Sequence, residues 1–139
     1  MAGEVLGIFT TKHIKSEEYC EFIESIGGII KDRNKCTGYI EKYNEIVLFN
    51  GYDCLNSDFY ESEKNYIKNK YNINVEYTYD LEANTSGDRE GGHLLLYICR
   101  GFVNIWSDSI ISNEYGGFFN YDDIVNERDY ESWLYKSEE

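Results

Sequence analysis

The sequence predicts a single α+β domain with a mostly antiparallel sheet packed with two or three helices. One segment has helical periodicity, another has the two-residue periodicity of a strand, and apolar residues are numerous enough to form a core. The chain has 139 residues, of which 42% are hydrophobic and 17% aromatic. It is therefore expected to fold as one domain, residues 1–139, despite a net charge of −13.

A first strand is expected at residues 4–9, and a helix is expected to begin at Ser16 and to end before Gly27. Serine is a favoured N-cap residue, and Glu17 and Glu18 fall in the first turn, where the helix dipole favours acidic side chains. Glycine after the last turn is typical of a helix C-terminus. The apolar residues recur at helical spacing and form one continuous stripe: Tyr19, Phe22, Ile23 and Ile26.

Further strands are expected after this helix. One begins at Ile29, a second spans residues 38–42 and a third spans residues 45–50. The third is predicted to be central in the sheet, because its middle is apolar on both faces.

A second helix is predicted over residues 58–70. Asp58 and Glu61 have the spacing of a capping box, in which two residues cap the first turn of a helix together. Lys64 and Lys68 make the outer face of this helix basic, a local exception to the acidity of the chain. The side chains expected to be buried are Phe59, Tyr66 and Ile67.

Residues 73–82 alternate between apolar and polar side chains, which predicts a half-buried strand with a solvated acidic face. Residues 83–92 are polar and contain glycine, so they are expected to form a loop. Residues 93–100 and 102–106 are then predicted to form either one strand bent at Gly101 or two strands, with residues 93–100 antiparallel to strand 73–82. The acidic face of strand 73–82 would include Glu76, Asp80 and Glu82.

The C-terminal segment, residues 108–139, carries nine acids and two bases. Asn120 and Asp123 are spaced to cap a last helix, and Trp133 would either dock this helix on the core or insert into a partner. On this helix three acids would form one negative ridge. Such a ridge is usually a solvated face, but like charges at this spacing cost a helix about a few tenths of a kcal/mol each, and a cationic partner would relieve that cost. The ridge consists of Asp123, Glu127 and Glu131.

The sequence contains no motif of a metal, phosphate or cofactor site. Its four cysteines include no C-x-x-C pair, the close spacing that zinc ligation usually needs. No glycine-rich phosphate loop occurs, and the C-terminal acidic run lacks the alternating ligands and glycine turn of a calcium loop. No motif places His13 or His93 beside a cysteine as a catalytic pair. We therefore expect no metal, no cofactor and no enzymatic activity.

The chain also lacks the patterns of a membrane or secreted protein. Its longest apolar run, Leu94 to Cys99, is far too short to span a membrane. The N-terminus has no basic region followed by an apolar stretch, and the cysteines are expected to be reduced and mostly buried. These features predict a cytoplasmic protein with no membrane partner.

Acidity and tyrosine content together predict a protein-binding surface. The chain has 26 acidic and 13 basic residues, and 14 tyrosines. Dense carboxylates attract cationic surfaces and repel nucleic acid, and tyrosine is an effective interface anchor. We therefore expect a basic protein partner and no direct contact with nucleic acid. The predicted partner-binding residues are Glu76, Asp80, Glu82, Tyr121, Asp122, Asp123, Glu127, Tyr130 and Glu131.

In size, charge, aromatic content and lack of a catalytic motif, the chain resembles the small acidic immunity proteins of bacterial toxin systems. This resemblance implies an antitoxin that binds and blocks a toxin or nuclease domain in the cytoplasm. The chain is also similar in kind to phage-encoded inhibitors of defence nucleases, which imitate the charge of a nucleic acid.

Two other interpretations remain open at this level. The chain could be a small-molecule-binding or oligomeric module with a cleft around Trp106, Phe118 and Phe119. It could also be a small α+β enzyme, although the sequence identifies no acid–base pair for one.

Overall fold

The computed structural model describes residues 2–34, 37–42, 45–55, 61–87, 92–113, 115–130 and 132–137, with the backbone alone for residues 2–5, 45–55 and 80–87. Its strands are β1 (Ala2–Thr10), β2 (Ile29–Asp32), β3 (Thr37–Lys42), β4 (Glu45–Leu55), β5 (Tyr77–Gly87), β6 (Ile110–Ser112) and β7 (Phe118–Phe119). Its helices are α1 (Ser16–Ser25), α2 (Glu61–Tyr71), α3 (Gly92–Ile105), α4 (Tyr121–Asn126) and a 3₁₀ helix (Trp133–Tyr135).

The seven described strands form one sheet in the order β2-β3-β4-β5-β1-β6-β7. Every pairing between them is antiparallel. The predicted α+β class with a mostly antiparallel sheet is confirmed, and β4 lies inside the sheet, as predicted from its apolar middle. The described residues contain four α-helices, more than the two or three predicted.

Helices cover both faces of the sheet. On β1, Ile8 belongs to a large core shared with α1, α3 and α4, whereas its neighbour Phe9 belongs to a small core shared with α2. Successive side chains on a strand point to opposite faces. The two cores therefore lie on opposite sides of the sheet, and β1 is buried on both.

The first helix forms where its apolar stripe predicted it. Tyr19, Phe22 and Ile23 are buried against the large core, and Gly27 follows the helix with a φ of +98°, the left-handed conformation expected there. Ser16 is the first helical residue rather than the N-cap, which is Lys15. The backbone N–H of Lys15 donates to Glu18 Oε1 at 3.1 Å, so an acid of the first turn caps the helix.

The prediction of strands at 93–100 and 102–106 is wrong, because these residues form the single helix α3. A continuous apolar run does not by itself distinguish a buried strand from a buried helix, since both bury nearly every side chain. Most of this helix is buried in the large core between the sheet, α1 and α4. The buried side chains of α3 include Leu94, Leu95, Leu96, Ile98, Cys99, Phe102 and Val103.

No helix in the described part of the chain is both long and apolar enough to cross a membrane.

Gly101, expected either to bend one strand or to separate two, instead allows α3 to lie close to α1. A Cβ at this position would be 3.0 Å from Ile26 Cγ2 and 3.1 Å from Phe22 Cε1. Side chains on α1 therefore occupy the space that any larger residue would need.

Strand β5 differs from the predicted strand 73–82 in both position and partners. It runs from Tyr77 to Gly87, through the first half of the predicted loop 83–92, and it pairs with β1 and β4 rather than with residues 93–100. Thr78 is only 3% exposed and its neighbour Tyr79 is fully buried. The start of the strand is thus covered on both faces, so the prediction of one fully solvated face is wrong there.

Helix α2 begins at Glu61 in the structure, and the predicted cap Asp58 and the predicted core residue Phe59 lie outside the described residues. Ile67 is fully buried, as predicted. Tyr66 was also predicted to be buried, but it is 36% exposed and packs one side of its ring on Phe118, with centroids 5.0 Å apart.

Candidate functional site

Helix α4 carries three of the predicted site residues, Tyr121, Asp122 and Asp123, and begins at the predicted cap. Asn120 Oδ1 accepts a hydrogen bond from the N–H of Asp123 at 2.9 Å, and Asp123 Oδ2 accepts one from the N–H of Asn120 at 3.1 Å. This reciprocal capping orients the first turn and leaves Asp122 and Tyr121 exposed beside it.

The predicted negative ridge is wrong, because α4 ends at Asn126 and Glu127 has an extended backbone. Arg100 on α3 ends the helix by donating from Nε to the carbonyl of Ile124 at 3.2 Å and from Nη2 to the carbonyl of Glu127. A cationic side chain stabilises the free carbonyls at a helix C-terminus. Glu131, the last residue of the predicted ridge, lies outside the described residues.

The fold instead brings three of the predicted acids to one groove of about 460 Å³. Its walls come from the end of α2, from β7 and α4, and from the segment after the 3₁₀ helix. The groove contains three carboxylates and two lysines, so its charge is mixed rather than uniformly negative. Its lining residues are Lys70, Gly117, Phe118, Phe119, Asp122, Asp123, Asn126, Glu127, Lys136 and Ser137.

Glu127 holds the C-terminal segment in place through Lys136. Lys136 Nζ donates to the two carboxylate oxygens at 2.8 and 3.0 Å, and the backbone N–H groups of Arg128 and Asp129 donate to Oε1. Burial raises the pKa of Glu127, but these hydrogen bonds and the charge of Lys136 outweigh it and leave the pKa lowered. With its side chain 11% exposed, Glu127 supports the groove from within.

The other two carboxylates of the groove differ in how much of their charge remains available. Asp123 accepts from the N–H of Asn120 and, at 3.4 Å, from the hydroxyl of Tyr71. Asp122 is exposed. Lys70, the second lysine of the groove, lies over the ring of Tyr71 at 5.2 Å from its centroid. Asp122 and Asp123 are thus both exposed, but Asp123 also caps α4 and accepts from Tyr71.

The two predicted tyrosines have different environments. Tyr121 is 37% exposed, and its hydroxyl is 3.5 Å from Asn104 Oδ1. Tyr130 stacks on His93 with centroids 4.5 Å apart, and the guanidinium of Arg100 lies 5.6 Å from its ring. Tyr130 is therefore half-buried in intramolecular contacts, whereas Tyr121 is exposed.

Two more exposed tyrosines lie beside the groove, and the predicted site did not include them. Tyr115 is 52% and Tyr135 is 39% exposed, and their rings meet edge to face with centroids 5.1 Å apart. Gly117 and Lys136, close to them in sequence, line the groove. The sequence does contain a signal for these two tyrosines. Both lie at turns outside the segments with helix or strand periodicity, where an aromatic side chain is not expected to be buried in the core.

Asn113 connects the backbones that carry these two tyrosines. Its Oδ1 accepts from the N–H groups of Tyr115 at 2.9 Å and Gly117 at 2.8 Å, and its Nδ2 donates to the carbonyl of Lys136 at 2.7 Å. The residue is 8% exposed. Sequence reasoning missed Asn113, because nothing local marks a contact between residues 23 positions apart.

The predicted acids around the fifth strand are separate from this groove. Glu76 precedes β5 and is exposed, and it lines another groove, of about 420 Å³, together with Lys64 and Lys68. Its surroundings are thus partly basic. Asp80 and Glu82 lie on β5, between β1 and β4, and only their backbones are described.

The aromatic residues of the small-molecule interpretation do not line one cleft. Phe118 and Phe119 line the 460 Å³ groove. Trp106 instead packs on Phe22 and Phe102, and it borders a separate cavity of about 80 Å³.

Among the described residues, no group of three or more histidine, cysteine and acidic side chains is arranged to hold a metal ion. Burial raises the pKa of the Cys99 thiol to about 12, so this cysteine is protonated and unreactive at neutral pH. His93, on the same helix, stacks on Tyr130.

Comparisons of this chain with protein-family models, with curated proteins and with solved structures found no match.

Proposed function

We propose that this protein is an immunity-type inhibitor that binds a basic protein, such as a toxin or nuclease domain, in the cytoplasm. The observation that carries this proposal is the grouping of Asp122, Asp123 and Glu127 around one groove with exposed tyrosines beside it. Carboxylates attract a cationic partner from a distance, and tyrosines supply stiff contact area once it docks.

The charges of the groove support different roles for its acids. Glu127 and Lys136 neutralise each other and shape the wall. Lys70 lies over tyrosine rings, and Asp122 remains exposed. In this proposal Asp122 and Asp123 meet the cationic groups of the partner, whereas Glu127 acts by positioning the segment that contains Lys136.

The net charge of −13 adds a field that acts before contact. Such a field raises association rates with a cationic protein and disfavours nucleic acid. Raising the salt concentration from 0.1 M to 1 M shortens the range of this field from about 10 Å to about 3 Å. An inhibitor of this kind is therefore expected to bind faster at low salt, with a smaller effect on dissociation.

The experiment isolates the basic protein that co-purifies with the chain at low salt and measures association rates for the purified pair between 0.1 M and 1 M salt. The site variant is Asp122→Lys with Asp123→Lys. The matched control is Glu21→Lys with Glu41→Lys, which changes two exposed acids elsewhere and gives the same change in net charge.

We expect the wild-type association rate to fall about tenfold or more over this salt range. The site variant should lose affinity well beyond the loss in the control, and it should fail to block the activity of the partner. Equal losses in the two variants would show that only total charge matters and would refute the groove as the binding site. Association that is independent of salt would refute the electrostatic proposal as a whole.

A further inference from the structure

The exposed aromatic pair Tyr115 and Tyr135 is held in place although it covers no core. More than a third of each side chain is exposed, and the two rings meet at an interplanar angle of 69°. Exposed aromatic side chains that are fixed in position are typical of binding anchors, because docking then costs little conformational entropy.

The support beneath this pair is rigid. Asn113 uses both its carbonyl oxygen and its amide group to join the turn before β7 to the C-terminal segment. Gly116 has a φ of +84°, and a Cβ at Gly117 would collide with the carbonyl of Lys136. The two backbone segments are thus packed as closely as glycine allows, and this close packing holds the backbones that carry both rings side by side.

The groove lined by residues close in sequence to the pair contains three carboxylates, which favour a cationic group. Gly117 and Lys136 line the groove in which Lys136 is already paired with Glu127, and Asp122 is exposed there. An aromatic face next to a carboxylate suits a guanidinium, which stacks on rings through its flat face and donates hydrogen bonds from its edge. A lysine ammonium is more strongly hydrated and lacks the flat face.

We propose that Tyr115 and Tyr135 form an anchoring platform for an arginine side chain of the basic partner, with the acids of the groove alongside. This inference rests on the proposed function and adds the anchor residues and the side chain that they select. The structure assigns the platform a preference for arginine over lysine at equal charge.

The test uses two blocked peptides of equal length, one of arginine and one of lysine, because these probes have the same charge. Affinity is measured by calorimetry for the full chain, and aromatic NMR signals report which rings are contacted. The variants are Tyr115→Ala with Tyr135→Ala, and Tyr115→Phe with Tyr135→Phe. Ile105→Ala, at a 54% exposed residue on α3, is the control.

We expect the arginine peptide to bind more tightly and to shift the ring signals of Tyr115 and Tyr135. The alanine variant should lose about two- to fivefold in affinity for each ring contacted, and the phenylalanine variant should retain most of it. The control should bind like the wild type.

The outcomes separate this inference from the proposed function. If Asp122→Lys with Asp123→Lys weakens both peptides but the alanine variant binds both normally, the platform is wrong and the acidic groove stands. If the charge variant also binds both peptides normally, the groove is refuted as the binding site of the proposed function. Should the alanine variant unfold, the wild-type NMR titration decides, since unshifted signals for both rings contradict the platform.

Discussion

Replacing Asn113 with alanine tests whether a single buried amide holds the candidate site together. The substitution removes three hydrogen bonds of 2.7 to 2.9 Å, to the carbonyl of Lys136 and from the N–H groups of Tyr115 and Gly117. At about 0.5–1.5 kcal/mol each, their loss would lower the free energy of unfolding by about 1.5–4.5 kcal/mol. This is a large part of the roughly 5–15 kcal/mol that stabilises a typical domain.

The assay is urea unfolding followed by circular dichroism, with the NMR signals of Tyr115 and Tyr135 recorded on the folded variant. We expect a lower urea midpoint and altered ring signals, because the two backbone segments are no longer joined. Asn104→Ala is the control, since Asn104 is exposed and accepts a long hydrogen bond of 3.5 Å from Tyr121. Its effect should stay within about 0.5 kcal/mol.

Asn113→Asp tests the amide group of Asn113 separately from its carbonyl oxygen. Aspartate keeps an acceptor for the two N–H groups, but it places an oxygen rather than an amide against the carbonyl of Lys136. The variant should be destabilised at neutral pH and should recover part of its stability in acid, where a protonated carboxyl can donate. A urea midpoint of Asn113→Ala equal to that of the wild type would refute the role of Asn113 in joining the two backbone segments.

Two further predictions concern the C-terminal segment. The pKa of Glu127 is lowered in the folded protein, so its contribution to stability is present above the ordinary carboxyl pKa of 4.5 and is lost as pH falls through the folded pKa. Glu127→Gln should lower the free energy of unfolding by about 1 kcal/mol or less at pH ~7, and its stability should fall less steeply in acid than that of the wild type. Urea midpoints equal to those of the wild type at every pH would contradict this. Trp133→Phe removes the hydrogen bond from Nε1 to the carbonyl of Gly92, 2.7 Å long, and leaves a small cavity. It should cost about 2–3 kcal/mol in urea unfolding, and a loss below about 0.5 kcal/mol would show that Trp133 does not anchor the segment.

Local patterns predicted the elements that depend on neighbouring residues. The stripe of α1 and the reciprocal cap of Asn120 and Asp123 were predicted because a helix turn or a cap involves residues three or four positions apart. The sequence likewise named Asp122 and Tyr121 as partner-binding residues, and both are exposed in the structure. These features follow from the chemistry of short segments.

The sequence could not distinguish α3 from a pair of strands. An apolar run buried on all sides has no polar face, and the polar face is what reveals whether the period is that of a helix or of a strand. The error then changed the sheet, because β5 was given a partner in residues 93–100 instead of β1 and β4. The pairing of β1 with β5 joins residues 75 positions apart along the chain at Leu6 and Leu81.

The amino-acid sequence by itself determined the α+β class, the acidic surface and the capped start of α4. Only the tertiary structure decided which acids remain available, since it paired Glu127 with Lys136, stacked Tyr130 on His93 and left Asp122 exposed. Net charge is a sum over residues and survives any folding. Which charges and rings face outward depends on contacts between distant segments, and those contacts exist only once the sheet and helices have packed.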